Sequence, residues 1–140
     1  MKALGLALAI GAISLMSLPV VCAEQAGSPI AFAGGCKIDL NADGTEDTAL
    51  LINSGKSYEL IVIMRLKEAT KSYVLNESNS MRYLACKRGK EIKETGAGPG
   101  KKAGRIHRTN GAYLTLLEPE SSEAAYFWSD GAFKEVWLSD

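Results

Sequence analysis

Ala125-Tyr126-Phe127-Trp128-Ser129-Asp130-Gly131-Ala132-Phe133-Lys134-Glu135-Val136-Trp137 decides the fold class. Two runs rich in aromatic and β-branched residues flank an Asp-Gly pair. Asp-Gly adopts positive φ at low cost, as a tight hairpin turn requires. The segment is read as strands 125–128 and 133–137 joined by Ser129 to Ala132. Working back toward the N-terminus, further short β-runs lie between turn signals: 113–117, 105–108, 81–87, 71–75, 57–66, 47–52 and 36–40. Residues 57–66 hold Tyr58, Leu60, Ile61, Val62, Ile63 and Met64, a nearly unbroken apolar run that predicts a central strand buried on both faces. Helical periodicity is weak, and only Leu66 to Thr70 has the pattern of a single helical turn. The expectation is a mostly β domain, an antiparallel β-sandwich or curled sheet of about eight strands.

Composition narrows the function. The chain has 140 residues, the size of one domain, and 46% hydrophobic content sets it apart from disordered chains. Sixteen Lys and Arg balance sixteen Asp and Glu, so no overall field draws it to nucleic acid or anionic lipid. His107 is the single histidine, which excludes His-rich zinc sites and leaves few ways to build a Ser-His or Cys-His pair.

The first residues read as an export address. Met1-Lys2 is a basic start, Ala3 to Leu18 is apolar, and Val21-Cys22-Ala23 places small residues before a cleavage point at Glu24. The run is short of the roughly 20 residues of a membrane anchor. A lipoprotein acylated at Cys22 is the other rival, but Pro19 and Val21 depart from the lipobox pattern. The organisation expected is therefore a cleaved signal peptide at 1–23, a flexible lead-in at 24–35 and a β-domain at 36–140, placed in the periplasm or secreted. Cleavage leaves Cys36 and Cys86, which in an oxidising compartment predicts one structural disulfide.

The strongest motif is Asp39-Leu40-Asn41-Ala42-Asp43-Gly44-Thr45-Glu46-Asp47. Its side-chain oxygens fall at Asp39, Asn41, Asp43 and Asp47, with the Thr45 carbonyl between them, and a hard cation such as calcium takes such oxygens. Leu50 stands where an EF-hand has its bidentate Glu, so this is no EF-hand. The pattern resembles the D-x-N-x-D-G-x-x-D loop of FG-GAP and VCBS-type β-repeats of exported proteins, in one copy of about 20 residues. That resemblance implies a structural calcium on Asp39, Asn41, Asp43, Thr45 and Asp47. The alternative is a polar turn that uses Asp, Asn and Gly only for their turn geometry.

Charge is unevenly spread. Residues 87–108 carry eight basic side chains against Glu91 and Glu94, while 118–140 carry six acidic ones against Lys134. Lys101, Lys102, Arg105, His107 and Arg108 form a basic loop region, and Glu118, Glu120 and Glu123 an acidic one. Residues 95–102 lack the Gly and hydroxyl positions of a phosphate loop. No G-x-S-x-G elbow or zinc spacing occurs, so no enzyme is expected. Trp128, Trp137, Tyr126 and Phe127 suit either a ligand platform or cross-strand core pairs, and the second fits a hairpin better.

These features point to an exported protein that works by binding a protein partner. The chain broadly resembles calcium-associated periplasmic immunity proteins of secreted muramidase toxins. The resemblance implies an inhibitor that blocks the cleft of a cell-wall-degrading enzyme, with the basic loop over its carboxylates and the acidic loop on a basic rim. The alternatives are an envelope structural or adhesion module with structural calcium, and a small hydrolase using Glu118 or Glu120 as acid.

Overall fold

Alternating burial sorts the chain into eight strands: β1 (Ala31–Ile38), β2 (Asp47–Asn53), β3 (Tyr58–Arg65), β4 (Thr70–Ser78), β5 (Tyr83–Lys93), β6 (Ile106–Glu118), β7 (Ser122–Ser129) and β8 (Ala132–Ser139). The computed structural model describes residues 31–95 and 103–139. The expected signal peptide, the lead-in up to residue 30, and Lys101 and Lys102 lie outside those residues. Among the described residues there is no helix, and so none long and apolar enough to cross a membrane.

The strands form two antiparallel meanders, β1-β2-β3-β4 and β5-β6-β7-β8. Within each sheet, strands adjacent in sequence pair directly, through tight turns at β3–β4 and β7–β8. The β7–β8 turn shows why: Asp130 and Gly131 have φ of 54° and 80°, the pair of positive values that matches the twist of a two-residue hairpin. Leu66 and Ala69 exchange main-chain hydrogen bonds of 2.8 and 3.3 Å around Lys67-Glu68, so the expected helical turn is a second tight hairpin instead. Closing that turn satisfies both main-chain groups at once and leaves no residues over for a helical turn.

One face of each sheet meets the other. Ile38, Leu40, Ala49, Leu51, Leu60, Val62 and Met64 pack against Ala112, Leu114, Leu116, Ala124 and Tyr126. Each fully buried aliphatic side chain contributes roughly 1.5–3 kcal/mol. The Cys36–Cys86 disulfide, Cα atoms 6.0 Å apart, fastens β1 to β5 on one side. On the other, Tyr73 of β4 meets Trp128 and Phe133 edge-on, with ring centroids 5.6 and 5.3 Å away. Trp128 and Trp137 pack against the core, as expected of hairpin aromatics.

Beyond shifts at the ends of most strands, three features differ from expectation. β1 begins at Ala31, inside the stretch read as a lead-in, because Gly34 and Gly35 pair with Leu51 and Leu50 of β2 despite their poor strand propensity. Residues 106–108 and 113–117 belong to the single strand β6, with Arg105 just before it, because Gly111 (φ 101°) sits at an irregularity opposite Gly89 that keeps the strand paired with β5 on both sides. β3 is buried on its inner face alone: Leu60, Val62 and Met64 are at 0% exposure, whereas Ile61 and Ile63 are half-buried.

Candidate functional site

The β1–β2 loop closes on its own main chain. Asp39 accepts hydrogen bonds from the amides of Asp43 (3.2 Å) and Gly44 (2.8 Å), and Asn41 accepts a second one from Asp43. Asp43 accepts from the Thr45 amide at 2.8 Å, and that bond holds its carboxyl below the ordinary aspartate range. Asp47, the first residue of β2, turns inward. It is fully buried and accepts from the Leu40 and Arg65 amides, both at 3.0 Å. Burial pushes its carboxyl up, partly offset by those two amides. Oxygen donors of this kind suit calcium, and Asp39, Asn41, Asp43 and the Thr45 carbonyl are the ones near the surface. Among the described residues, no three acidic, His or Cys side chains converge as a cation site.

The basic region forms an arm. β5 and β6 continue past the Gly89–Gly111 irregularity, where the Thr109 hydroxyl donates to the Gly89 carbonyl and accepts from the Gly111 amide. Beyond it the hairpin curls over the outer face of its own sheet. Ile92 packs with Ala125, Phe127 and Val136 in a second buried cluster. His107 stacks on Phe127 at 5.9 Å and its Nε2 donates to the Glu94 carboxylate at 2.9 Å. The Thr95 amide donates to the Trp137 carbonyl of β8 at 3.3 Å, which ties the arm to the far edge of the sheet. This sheet is thereby partly rolled up, combining the two architectures expected from the sequence.

No family model, curated protein or solved structure matches this chain.

The arm divides the predicted basic residues. Arg105 and Arg108 are exposed and have no salt-bridge partner among the described residues, as is true of Lys90 and Lys93. His107 points inward and is held by Glu94 and Phe127. Lys93, Glu94, Thr95, Ala103 and Gly104 line an open cavity of about 480 Å³ at the arm. Lys90, Lys93 and Glu94 were legible only as members of a charged stretch. Their roles depend on the curl, which brings chain segments from both sides of residues 96–102 together.

The acidic residues sit at the other end of β6. Glu118 is bound by Arg82 at 2.9 Å and Glu123 by Lys87 at 3.0 Å, while Glu120 is exposed at the β6–β7 turn with φ 59°. Arg82 also donates to Asn76 at 2.7 Å, Asn76 donates to the Tyr126 hydroxyl at 3.0 Å, and that hydroxyl donates to Glu135 at 2.7 Å. Burial, and then the Glu135 hydrogen bond, raise the Tyr126 pKa. This chain of contacts clasps the two sheets, and Glu118 is part of it.

Proposed function

We propose that this chain is an exported inhibitor, of the immunity-protein kind, that blocks the cleft of a cell-wall-degrading muramidase and has no catalysis of its own. The observation that carries the proposal is the arm: a hairpin held down at its far end by the Thr95–Trp137 and His107–Glu94 hydrogen bonds, presenting Arg105, Arg108, Lys90 and Lys93, which have no ion-pair partner among the described residues. A cationic surface held in place on its sheet loses little conformational freedom on binding and suits a cleft lined by carboxylates. Glu118 and Glu123 are taken up by cationic partners of their own, Arg82 and Lys87. The arm is therefore the binding element, and the acidic group is left out of it. The disulfide and the lack of a membrane-crossing helix among the described residues are compatible with export.

Affinity capture tests this reading: tagged protein is passed over envelope and secreted fractions of its source, with calcium and again with EDTA. One stoichiometric wall hydrolase, inhibited on binding, is expected. Replacing Arg105 and Arg108 by Glu should weaken that inhibition about 100-fold, because like-charge juxtaposition costs several kcal/mol. The melting temperature should stay put, since both side chains are exposed. Undiminished inhibition by the double reversal would remove the arm from the contact.

Calcium belongs to the same proposal as a structural ion on Asp39, Asn41, Asp43 and the Thr45 carbonyl, with Asp47 supporting the loop from within through its two amide bonds. EDTA should lower the melting temperature by several degrees, and Asp43→Ala should abolish the difference. An unchanged melt would leave the loop as a turn closed by its own amides.

A further inference from the structure

We propose that the outer face of the β1–β4 sheet is a docking surface for a second copy of this chain, forming a two-fold dimer. The strand register fixes the face. One cross-strand row is Phe32, Ile52, Glu59 and Glu77, the next is Gly35, Leu50, Ile61 and Val74, and the third is Lys37, Thr48, Ile63 and Ser72. Phe32 and Val74 are 69% and 64% exposed, and Leu50, Ile52, Ile61 and Ile63 are half-buried. These six apolar side chains form one patch, and nothing among the described residues is packed on it. Gly35 extends the patch: a Cβ there would come within 3.0 Å of the Phe32 ring, so glycine lets that ring lie flat across β1.

Charge selects the occupant. Glu59 and Glu77 stand directly opposite each other in register, and neither has a salt-bridge partner among the described residues. Like charges facing across a strand pair are destabilising unless a cation lies between them. The face carries its own cations at the other end, Lys37 and Arg65, which are also without ion-pair partners there. The carboxylates of the adjoining β1–β2 loop are turned to their own amides. A two-fold axis lying in the interface and perpendicular to the strands places the acidic end of one copy over the basic end of the other. Passing level with Val62, that axis sets Glu59 against Arg65 and Ile61 against Ile63 of the other copy. An axis parallel to the strands would instead set Glu59 and Glu77 over Ile52 and Phe32 of the other copy, burying both carboxylates against apolar side chains with no cation at hand. The surface is thus self-complementary in one orientation, as an isologous contact requires.

The area is sufficient. Strands of seven to nine residues in a four-stranded sheet give a plane of roughly 19 by 26 Å, about 500 Å² per copy before side-chain relief is added. Two such faces reach the roughly 1,000 Å² that a specific interface needs, at the weak end of the stable range. The arm lies on the other sheet, so pairing leaves it accessible, and the dimer stands or falls independently of the inhibitor reading.

Sedimentation velocity of the purified protein from about 1 to 500 µM is the test, with reversible dimerisation in the micromolar range expected. Val74→Asp changes an exposed position and spares the core, and it should weaken the dimer at least about tenfold. Glu59→Lys should do the same, and adding Arg65→Glu should restore the dimer. The two residues lie about 20 Å apart along one strand, so only a partner can couple them. A monomer at every concentration, or a dimer that neither Val74→Asp nor Glu59→Lys weakens, overturns the proposal. In the monomer case, hydrogen-exchange protection of residues 24–30 would identify the chain's own lead-in as the cover. A double variant no tighter than Glu59→Lys alone overturns the pairing of the charged ends.

Discussion

Replacing Cys36 and Cys86 by Ala lowers the melting temperature by about 15 °C. The disulfide joins residues 50 apart in sequence, and closing a loop of that length in the unfolded chain is worth about 4 kcal/mol on the chain-entropy account. For a domain of this size each kcal/mol moves the midpoint by roughly 4 °C. The bond links the edge strands β1 and β5, while the aromatic trio of Tyr73, Trp128 and Phe133 holds the opposite side. Thermal melts of the double variant, and of the wild type with and without reductant, check this. A fall below about 5 °C would mean that residual structure already restricts the reduced unfolded chain, so the crosslink removes little of its entropy.

Asp47→Ala costs about 3 kcal/mol, the second large effect. Its carboxylate is fully buried and receives two main-chain amides, from Leu40 across the β1–β2 loop and from Arg65 at the end of β3. Removing the acceptor leaves both N–H groups unsatisfied inside the protein, at roughly 1–3 kcal/mol each. Asp47→Asn loses less but still fails, since an amide side chain offers one oxygen and turns its NH2 toward the second donor. The pH dependence has a definite sign. Burial raises the folded-state pKa above the ordinary aspartate value of 3.8, so the stability linked to Asp47 titration is fully present below about that pH. It is lost as pH rises through the raised value. Urea titrations at about pH 7 and pH 4 should therefore show wild type gaining on Asp47→Asn as the solution is acidified. A gap that narrows on acidification would contradict the inward, desolvated placement of this carboxylate.

Asp47 also shows how far the loop could be read from sequence. Its spacing from Asp39 and Asp43 made it one oxygen donor among several, a property of residue types and intervals. Which way its side chain turns depends on Leu40 and Arg65, the latter 18 positions away, and no local pattern contains that information. His107 is a second instance. It was grouped with the basic residues around it, but its strand parity and the curl of the arm turn it onto Phe127 and Glu94. Ile61 and Ile63 are a third: an unbroken apolar run marks a strand, yet it cannot tell a face covered by the same chain from one left open.

Residue types and their spacing determined what local physics can decide. The Asp130-Gly131 turn, the alternation that makes the strands, the all-β class and the Cys36–Cys86 pairing follow from propensity, positive φ and the count of cysteines. The tertiary structure alone decided the rest: the merging of two short runs into β6, the roll of the arm over Phe127, the partners that neutralise Glu118 and Glu123, and the open face that carries Glu59 and Glu77. Those outcomes depend on which distant segments meet, and burial and ion pairing are properties of the meeting rather than of either segment alone.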